Sequence, residues 1–426
     1  MSTTLSERPG QAFVWVWLPG AGEPVVAGRL VEEGDALNFV YGRSYLDRDD
    51  AVSLYTPELP LRPGRIRPLP GLDAPGCILD AGPDAWGQRV IMNRLVGARS
   101  YDTDPRDLGR LAFLLESDSD RVGALDFQRS ADAYAPRGGT PATLDELATA
   151  AERVDAGLPL SPALDAAILH GSSIGGARPK AALDDGGRKL IAKFSSASDT
   201  YAVVQGEYVA MELARRVGLN VAKTELATAL GKEILLVERF DRVAETGARR
   251  AVVSALTILE LNELAARWAS YFDLAQVVRE RFTNAAATLR ELFARITFNV
   301  LVGNTDDHAR NHAAFWDGSM LTLTPAYDVC PQLRSGGEAT QAMIIGDDSD
   351  AFKLSQVAGC ISRAHLYQMT QPEAREIVDR QIAVIESEWS DVCDRARLPE
   401  VERRRFWRRQ FLNPFALEGY WRTGAI

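Results

Sequence analysis

From His170 to Glu238 the chain runs through a small-residue loop, a hairpin, a helix and a second hairpin, and that order admits few folds. The loop is His170-Gly-Ser-Ser-Ile-Gly-Gly-Ala-Arg-Pro-Lys180. A strand begins at Ala181–Leu183, Asp184-Asp-Gly-Gly187 supplies a turn, and Lys189–Phe194 returns as its partner. Val203–Val217 has the spacing of an amphipathic helix, closed by Gly218 just past its end. Thr224–Ala229 and Glu233–Glu238 form a second hairpin about Gly231. After Asp241 the pattern turns mainly helical, and Asn284–Leu301 reads as one long helix with Leu289, Leu292, Phe293, Ile296 and Val300 on its apolar side. Hairpins grouped ahead of a helical half predict an α+β chain.

A length of 426 residues suggests two or three domains. Residues 1–135 read as β-rich early (Ala12–Leu18, Val25–Leu30) and helical later (Asp84–Leu95), with Tyr134–Thr140 as a Gly- and Pro-containing linker. The expected boundaries are therefore 1–135, 136–241 and 242–426. The formal net charge is −10, from 48 Lys and Arg against 58 Asp and Glu, which excludes autonomous nucleic-acid binding through a basic footprint. One local exception is Ala396–Arg409, where six arginines interleave with Phe406 and Trp407. From Pro399 it reads as a helix with a charged face, expected to be solvated or turned to a partner. No apolar run approaches the ~18 residues of a membrane span, and Met1–Gly10 lacks the pattern of a secretory leader. Four scattered cysteines without a CxxC pair suit a reducing cytoplasm, so a cytoplasmic chain without membrane contact is expected.

Three groups of residues carry chemistry. Read alone, Ser172-Ser-Ile-Gly-Gly176 is a hairpin-entry loop as readily as a phosphate cradle, in which backbone N–H groups approach oxygen without Cβ obstruction. Lysine is scarce: only Lys180, Lys189, Lys193, Lys223, Lys232 and Lys353 occur, and three of these six fall between positions 180 and 193. Lys193 sits on the strand after the loop, with Glu207 on the following helix placed to pair with it, as a phosphoryl-transfer site requires. In Gly303-Asn-Thr-Asp-Asp-His-Ala-Arg-Asn311, Asp306 and Asn311 stand at the spacing of the catalytic Asp and metal-binding Asn of protein kinases. The hairpin formed by Ala313–Trp316, Asp317-Gly318 and Met320–Leu323 would return Asp328 beside Asn311, giving Mg²⁺ an oxygen donor set. His308 and His312 have i, i+4 spacing, so with Asp307 or Asp328 they would make a hydrolase-like metal triad if the segment were helical. As a loop it leaves His308 to hold the local conformation by hydrogen bonds.

Gly303–Asn311 resembles the catalytic loop of the HipA-like serine/threonine kinases, toxin members of bacterial toxin–antitoxin modules. Ser173-Ile-Gly-Gly-Ala-Arg-Pro-Lys180 resembles their phosphate loop, Val237-Glu-Arg-Phe-Asp-Arg242 their hinge, and Ala326-Tyr-Asp-Val329 their metal segment. Ala81-Gly-Pro-Asp-Ala-Trp-Gly87 and Arg121-Val-Gly-Ala124 are similar to parts of their N-terminal subdomain. The resemblance implies a two-lobed protein-kinase-like α+β fold, with a β-rich N-terminal region and nucleotide-binding small lobe and a mainly helical catalytic lobe.

It also implies roles. Asp306 would be the catalytic base, supported by His308, and Asn311 and Asp328 the Mg²⁺ ligands. ATP would lie against Ser173, Gly175, Gly176 and Lys193, with Glu207 orienting the lysine and backbone near Glu238 and Phe240 receiving adenine. Ser173, or adjacent Ser172, would be an autophosphorylated regulatory serine. The implied protein target is a translation factor such as an aminoacyl-tRNA synthetase. The implied partner is a small DNA-binding antitoxin, through which alone the chain would reach DNA. Arg310 departs from the family's usual lysine, replacing a point charge with a planar fork. The rival expectations are a catalytically idle partner of a DNA-binding repressor and a metal-dependent hydrolase.

Overall fold

The computed structural model describes residues 9–96, 104, 108–138, 142–169, 176–334 and 337–420. The chain divides into two compact units, one of Met1–Ser198, Ala227–Val253 and Phe315–Ser319, the other of Asp199–Leu226, Ser254–Ala314 and Met320–Ile426.

The first unit holds two antiparallel sheets. Strands β1 (Gln11–Val16), β2 (Val25–Glu33), β3 (Ala36–Tyr41), β4 (Arg65–Ile66) and β5 (Leu125–Gln128) form a five-stranded sheet in the order β4-β3-β2-β1-β5. β1 ends at Val16, two residues before the apolar pattern does, and Trp17 N–H instead reaches Ala124 O at 2.9 Å. β3 escaped the sequence reading, although the two-residue Gly34-Asp35 connection, with Gly34 at φ +59°, is a hairpin signal. Gly28 is obligatory in β2: a Cβ there would lie 2.2 Å from Val40 O.

Four short or medium helices follow in this region, α1 (Arg43–Leu46), α2 (Gly76–Leu79), α3 (Ala85–Val96) and α4 (Arg110–Glu116), and then α5 (Leu144–Asp155) and α6 (Pro162–Leu169). α5 opens with a capping box between Thr143 and Glu146. The second sheet has the order β6-β7-β9-β8, from β6 (Lys180–Asp185), β7 (Arg188–Lys193), β8 (Thr224–Ala229) and β9 (Lys232–Glu238). One buried cluster joins Trp86 and Val90 of α3, Leu147, Ala151 and Val154 of α5, and Leu190, Ala192 and Leu236 of this sheet. Tyr134–Thr140 therefore connects segments that share a core.

The second unit is mainly helical. It contains α7 (Val203–Arg216), α8 (Ala255–Ile258, entered from β10, Ala251–Ser254), α9 (Tyr271–Arg281) and α10 (Ala285–Val302). After β11 (Ala313–Trp316) and β12 (Leu321–Leu323) come α11 (Val357–Ser362), α12 (Gln371–Arg395) and α13 (Glu400–Phe406). α7 is closed by Gly218 at φ +91°, as its sequence predicts. α10 is buried along most of its length and packs on α12, where Gln381 Nε2 donates to Ala294 O at 2.7 Å and Gln381 Oε1 accepts from Thr297 at 3.0 Å. Arg295 is buried within α10; its guanidinium pairs with Glu291 at 2.9 Å and donates to Thr324 O at 2.9 Å.

The arginine-rich tail forms the helix expected from Pro399, and Arg404, Arg405 and Arg408 on its charged face are solvated. Its helix is short, and Phe406 and Phe411 are fully buried in the second unit. Its arginines are bound by their own chain: Arg403 pairs with Asp394, Arg404 with Glu400, Arg405 with Glu402 and Arg408 with Glu386. The two rings anchor the tail by burial while the charged face stays in solvent. Among the described residues no helix is long and apolar enough to cross a membrane.

Candidate active site

The site in the second unit begins where α10 stops. Gly303 takes the left-handed conformation at φ +71°, and Asn304 N–H turns back to Asn299 O at 2.9 Å, so the helix closes and releases Asn304–His312 as a loop. A 3₁₀ turn at Ala309–Asn311 is closed by Asn311 N–H donating to His308 O at 2.8 Å. Asn311 Nδ2 donates to Asp306 O at 3.3 Å, which ties the ends of the Asp306–Asn311 spacing together. Turning its nitrogen inward leaves the amide oxygen of Asn311 facing the other way.

Two adjacent carboxylates have opposite fates. Asp307 is buried, and its Oδ2 accepts from Asn299 Nδ2 at 2.7 Å, from the Tyr271 hydroxyl, and lies 3.0 Å from His312 Nε2. Burial alone would push its carboxyl up; the His312 ring and these hydrogen bonds hold it below the usual range. Asp306 is exposed on the loop, and partial desolvation raises its carboxyl above the ordinary range, with the charges of Asp328 and Asp307 adding and His308 opposing. Asp328 thus shares the electrostatic environment of Asp306. It occupies a left-handed backbone at φ +60°, a strained position for a residue other than glycine. Its segment is tied to the loop by Gln332 N–H donating to Gly303 O at 3.0 Å and by the Tyr327 hydroxyl donating to Arg310 O at 2.6 Å.

These contacts change the histidine assignments. The hydrogen-bonding role expected of His308 is filled by His312, because Asp307 lies beside the latter; His308 Nδ1 is buried without a hydrogen-bond partner. The transition-metal triad does not form. A 3₁₀ turn separates the two histidines, His312 Nε2 is engaged, and no group of three or more His, Cys, Asp or Glu able to hold a metal occurs among the described residues. Asp306, Asn311 and Asp328 offer only oxygen, and only two carboxylates. The Asn311 and Asp328 pair fits small, hard Mg²⁺, which keeps several waters, and a cation there would relieve the repulsion between Asp328 and Asp306. Arg310 is held by Glu263, with Nε 2.6 Å from Oε1.

Asp307, Tyr271, Asn299 and Asn304 escaped the sequence reading as a scaffold. Asn304 Nδ2 donates to Asn299 Oδ1 at 3.0 Å, extending the chain of polar contacts. The only sequence signal was an unusual density of polar residues at the end of an apolar helix.

The first unit carries the other candidate residues. Lys193 on β7 is paired in register with Lys180 on β6, so the two lysines project from one face of the hairpin. Lys180 is buried, its Nζ 3.9 Å from Asp84 Oδ2 at the start of α3, while its carbonyl accepts from Trp86 Nε1 at 2.8 Å. Gly176 has φ +110°, and a Cβ there would lie 2.1 Å from Lys180 Nζ, so glycine leaves room for the ammonium beside the loop. Ser172, Ser173 and Gly175 lie outside the described residues.

Glu238 ends β9 opposite Leu190, and the Phe240 ring meets Phe315 edge to face at 5.8 Å. Glu207 is buried on α7 in the second unit.

Two motifs distant in sequence meet behind this sheet. Asp241 accepts from Gly123 N–H at 2.8 Å and from both Arg239 (2.8 Å) and Arg242 (2.7 Å), and Arg242 also pairs with Asp120 at 2.8 Å. Burial opposes ionisation of Asp241, yet the two guanidiniums lower it to about 2.

Comparison with known proteins bears on the family and the fold. The family described as HipA-like C-terminal domain matches residues 172–389. The serine/threonine-protein kinase toxin HipA of Shewanella oneidensis is 27% identical over 206 residues, 42% of this chain and 47% of that one. A putative kinase of Sinorhizobium fredii is 28% identical over 146 residues, 33% of each chain. The chain thus spans about half, or less, of the length of these curated relatives. Among solved structures, HipA from the Shewanella oneidensis complex of HipA, HipB and operator DNA superposes with a TM-score of 0.67 at 18% identity, over 94% of this chain and 99% of that one. The fold is the α+β, kinase-like one.

Proposed function

Because the chain belongs to the HipA-like kinase family, we propose that it is an ATP- and Mg²⁺-dependent protein serine/threonine kinase that arrests growth. One observation carries this reading: Asp306 stands exposed on a loop whose neighbour Asp307 is locked inward and whose Asn311 is bonded back to it.

Asp306 would orient the acceptor hydroxyl and take its proton, a task favoured by a carboxylate above its ordinary range. Asn311 and Asp328 would hold Mg²⁺, which supplies charge neutralisation at the transferred phosphate. Lys193 would contact the ATP phosphates with Glu207 orienting it, Lys180 and Gly176 would shape the loop beside them, and Glu238 and Phe240 would border the adenine. Ser173, or Ser172, would be the autophosphorylated residue of that loop. The protein target is a translation factor such as an aminoacyl-tRNA synthetase, and the reaction takes place in the cytoplasm. A small DNA-binding antitoxin would be the partner. The related HipA, solved together with HipB and its operator DNA, supports this reading, as does the net charge of −10.

The test is phosphoproteomics after expressing the wild type and Asp306→Ala. New phosphosites on one protein and on Ser172 or Ser173, absent with the variant, are expected. Equal phosphorylation in both would sink the assignment of Asp306. Normal growth together with no ATP-dependent thermal shift would instead favour the idle partner.

A further inference from the structure

The arginine-rich C-terminal tail lies beyond the residues matched by the family, yet its backbone touches the residue that opens the proposed catalytic loop. A Cβ on Gly303 would lie 2.7 Å from Gln410 O and 3.0 Å from Gln410 Cα, so the two backbones meet without room for a side chain. Two residues further, Leu412 N–H donates to Leu301 O at 2.7 Å, capturing a carbonyl of the last turn of α10. Gly303 is thus held from two sides, since its own carbonyl accepts from Gln332 N–H in the segment that follows Asp328.

The tail is driven into this path. Arg408 at φ +59° and Leu412 at φ +51° both occupy the left-handed region, which is strained for non-glycine residues and persists only where surrounding packing imposes it. That packing is aromatic. Phe411 is fully buried against Trp389 of α12, with ring centroids 4.8 Å apart, and against Phe406 at 5.9 Å. Phe406 in turn fills the space over Gly206 of α7, where a Cβ would lie 2.7 Å from its Cζ. The same tail binds the start of α7, through Glu402 accepting from Ala202 N–H at 3.2 Å and Arg405 donating to Thr200 O at 2.7 Å.

We propose that residues 406–412 are a positioning clamp for the catalytic loop, with Phe411 as its anchor and the Gly303–Gln410 backbone contact as its point of action. The inference rests on the kinase reading. Asp306 is three residues from the clamped peptide, and phosphoryl transfer depends on placement of its groups. The clamp grips the C-terminal end of α10 while α7, carrying Glu207 next to Gly206, is held by Phe406 of the same segment. No residue of the clamp touches the reacting atoms; it acts through the loop.

The experiment compares Phe411→Ala, Phe411→Leu and wild type at a temperature where all are folded. Phe411→Ala should lower kcat for phosphate transfer by about a hundredfold, the scale of an ångström-sized misplacement, with KM for ATP unchanged. Phe411→Leu, which keeps apolar volume, should restore most of it. Amide exchange across 304–311 should quicken in Phe411→Ala relative to α9 and α12. Unchanged kcat, or unchanged exchange in that loop, would overturn the clamp. Should Phe411→Ala fail to fold, Phe411→Val, which removes less of the ring's volume, makes the same test. If the wild type transfers no phosphate, the kinase reading fails, and the exchange measurement alone decides whether the clamp exists.

Discussion

Asp307 Oδ2 lies 3.0 Å from His312 Nε2, and the same oxygen takes bonds from Asn299 and Tyr271. Three buried donors converge on one carboxylate, which ties α9, α10 and the end of the loop together. The consequence is a division of labour between neighbours: Asp307 holds the loop, and Asp306 is the one we propose for chemistry.

Asp307→Ala should therefore be a stability variant before it is an activity variant. Leaving the three donors unpaired is expected to cost about 3–5 kcal/mol, read as a shift of the denaturant midpoint. A loss below about 1 kcal/mol would mean that the contact is not what holds the loop.

Asp328→Asn should show the reverse. Asparagine tolerates the left-handed backbone at this position, so the melting temperature should stay at the wild-type value. Removing the carboxylate of the proposed Mg²⁺ ligand pair should raise the Mg²⁺ concentration needed for half-maximal phosphate transfer by about tenfold or more. An unchanged Mg²⁺ dependence would remove Asp328 from the metal site.

Gly176→Ala probes the room left for Lys180. The methyl group must displace the ammonium, and the φ of +110° is strained for alanine. Displacing the ammonium that shapes the proposed phosphate loop should weaken ATP binding about tenfold, measured by titration with a fluorescent nucleotide. Unaltered affinity would show that Lys180 takes no part.

The ion network behind the sheet predicts acid sensitivity. Asp241 is depressed to about 2 in the folded chain against about 3.9 when unfolded, so its contribution is complete above the unfolded value. It is lost as pH falls from about 4 to about 2, since the unfolded chain then binds the proton more readily. Asp241→Asn should abolish that part of the pH dependence and destabilise the chain by about 1–3 kcal/mol at neutral pH, because the buried Arg239 and Arg242 would keep only Asp120 as a carboxylate partner. Stability curves for both proteins between pH 2 and pH 7 check this; parallel curves would refute it.

What the sequence by itself determined is local and periodic. The hairpins at 180–193 and 224–238, the capped helices and the Asp306–Asn311 spacing all rest on contacts within a few residues, where turn chemistry and side-chain period decide the outcome. Positions that glycine must fill were visible as glycines, but not why. Only the tertiary structure decided that Gly176 clears Lys180, that Gly303 meets Gln410, and that Asp307 rather than His308 holds the loop. The tail shows the same limit: its arginines suggested a solvated face, while burial of Phe406 and Phe411 against distant helices set its path. Contacts such as Gly303 with Gln410, or Phe406 with Gly206, join segments far apart in the chain. Their energy comes from packing and from pairing buried polar groups, terms that no local pattern encodes.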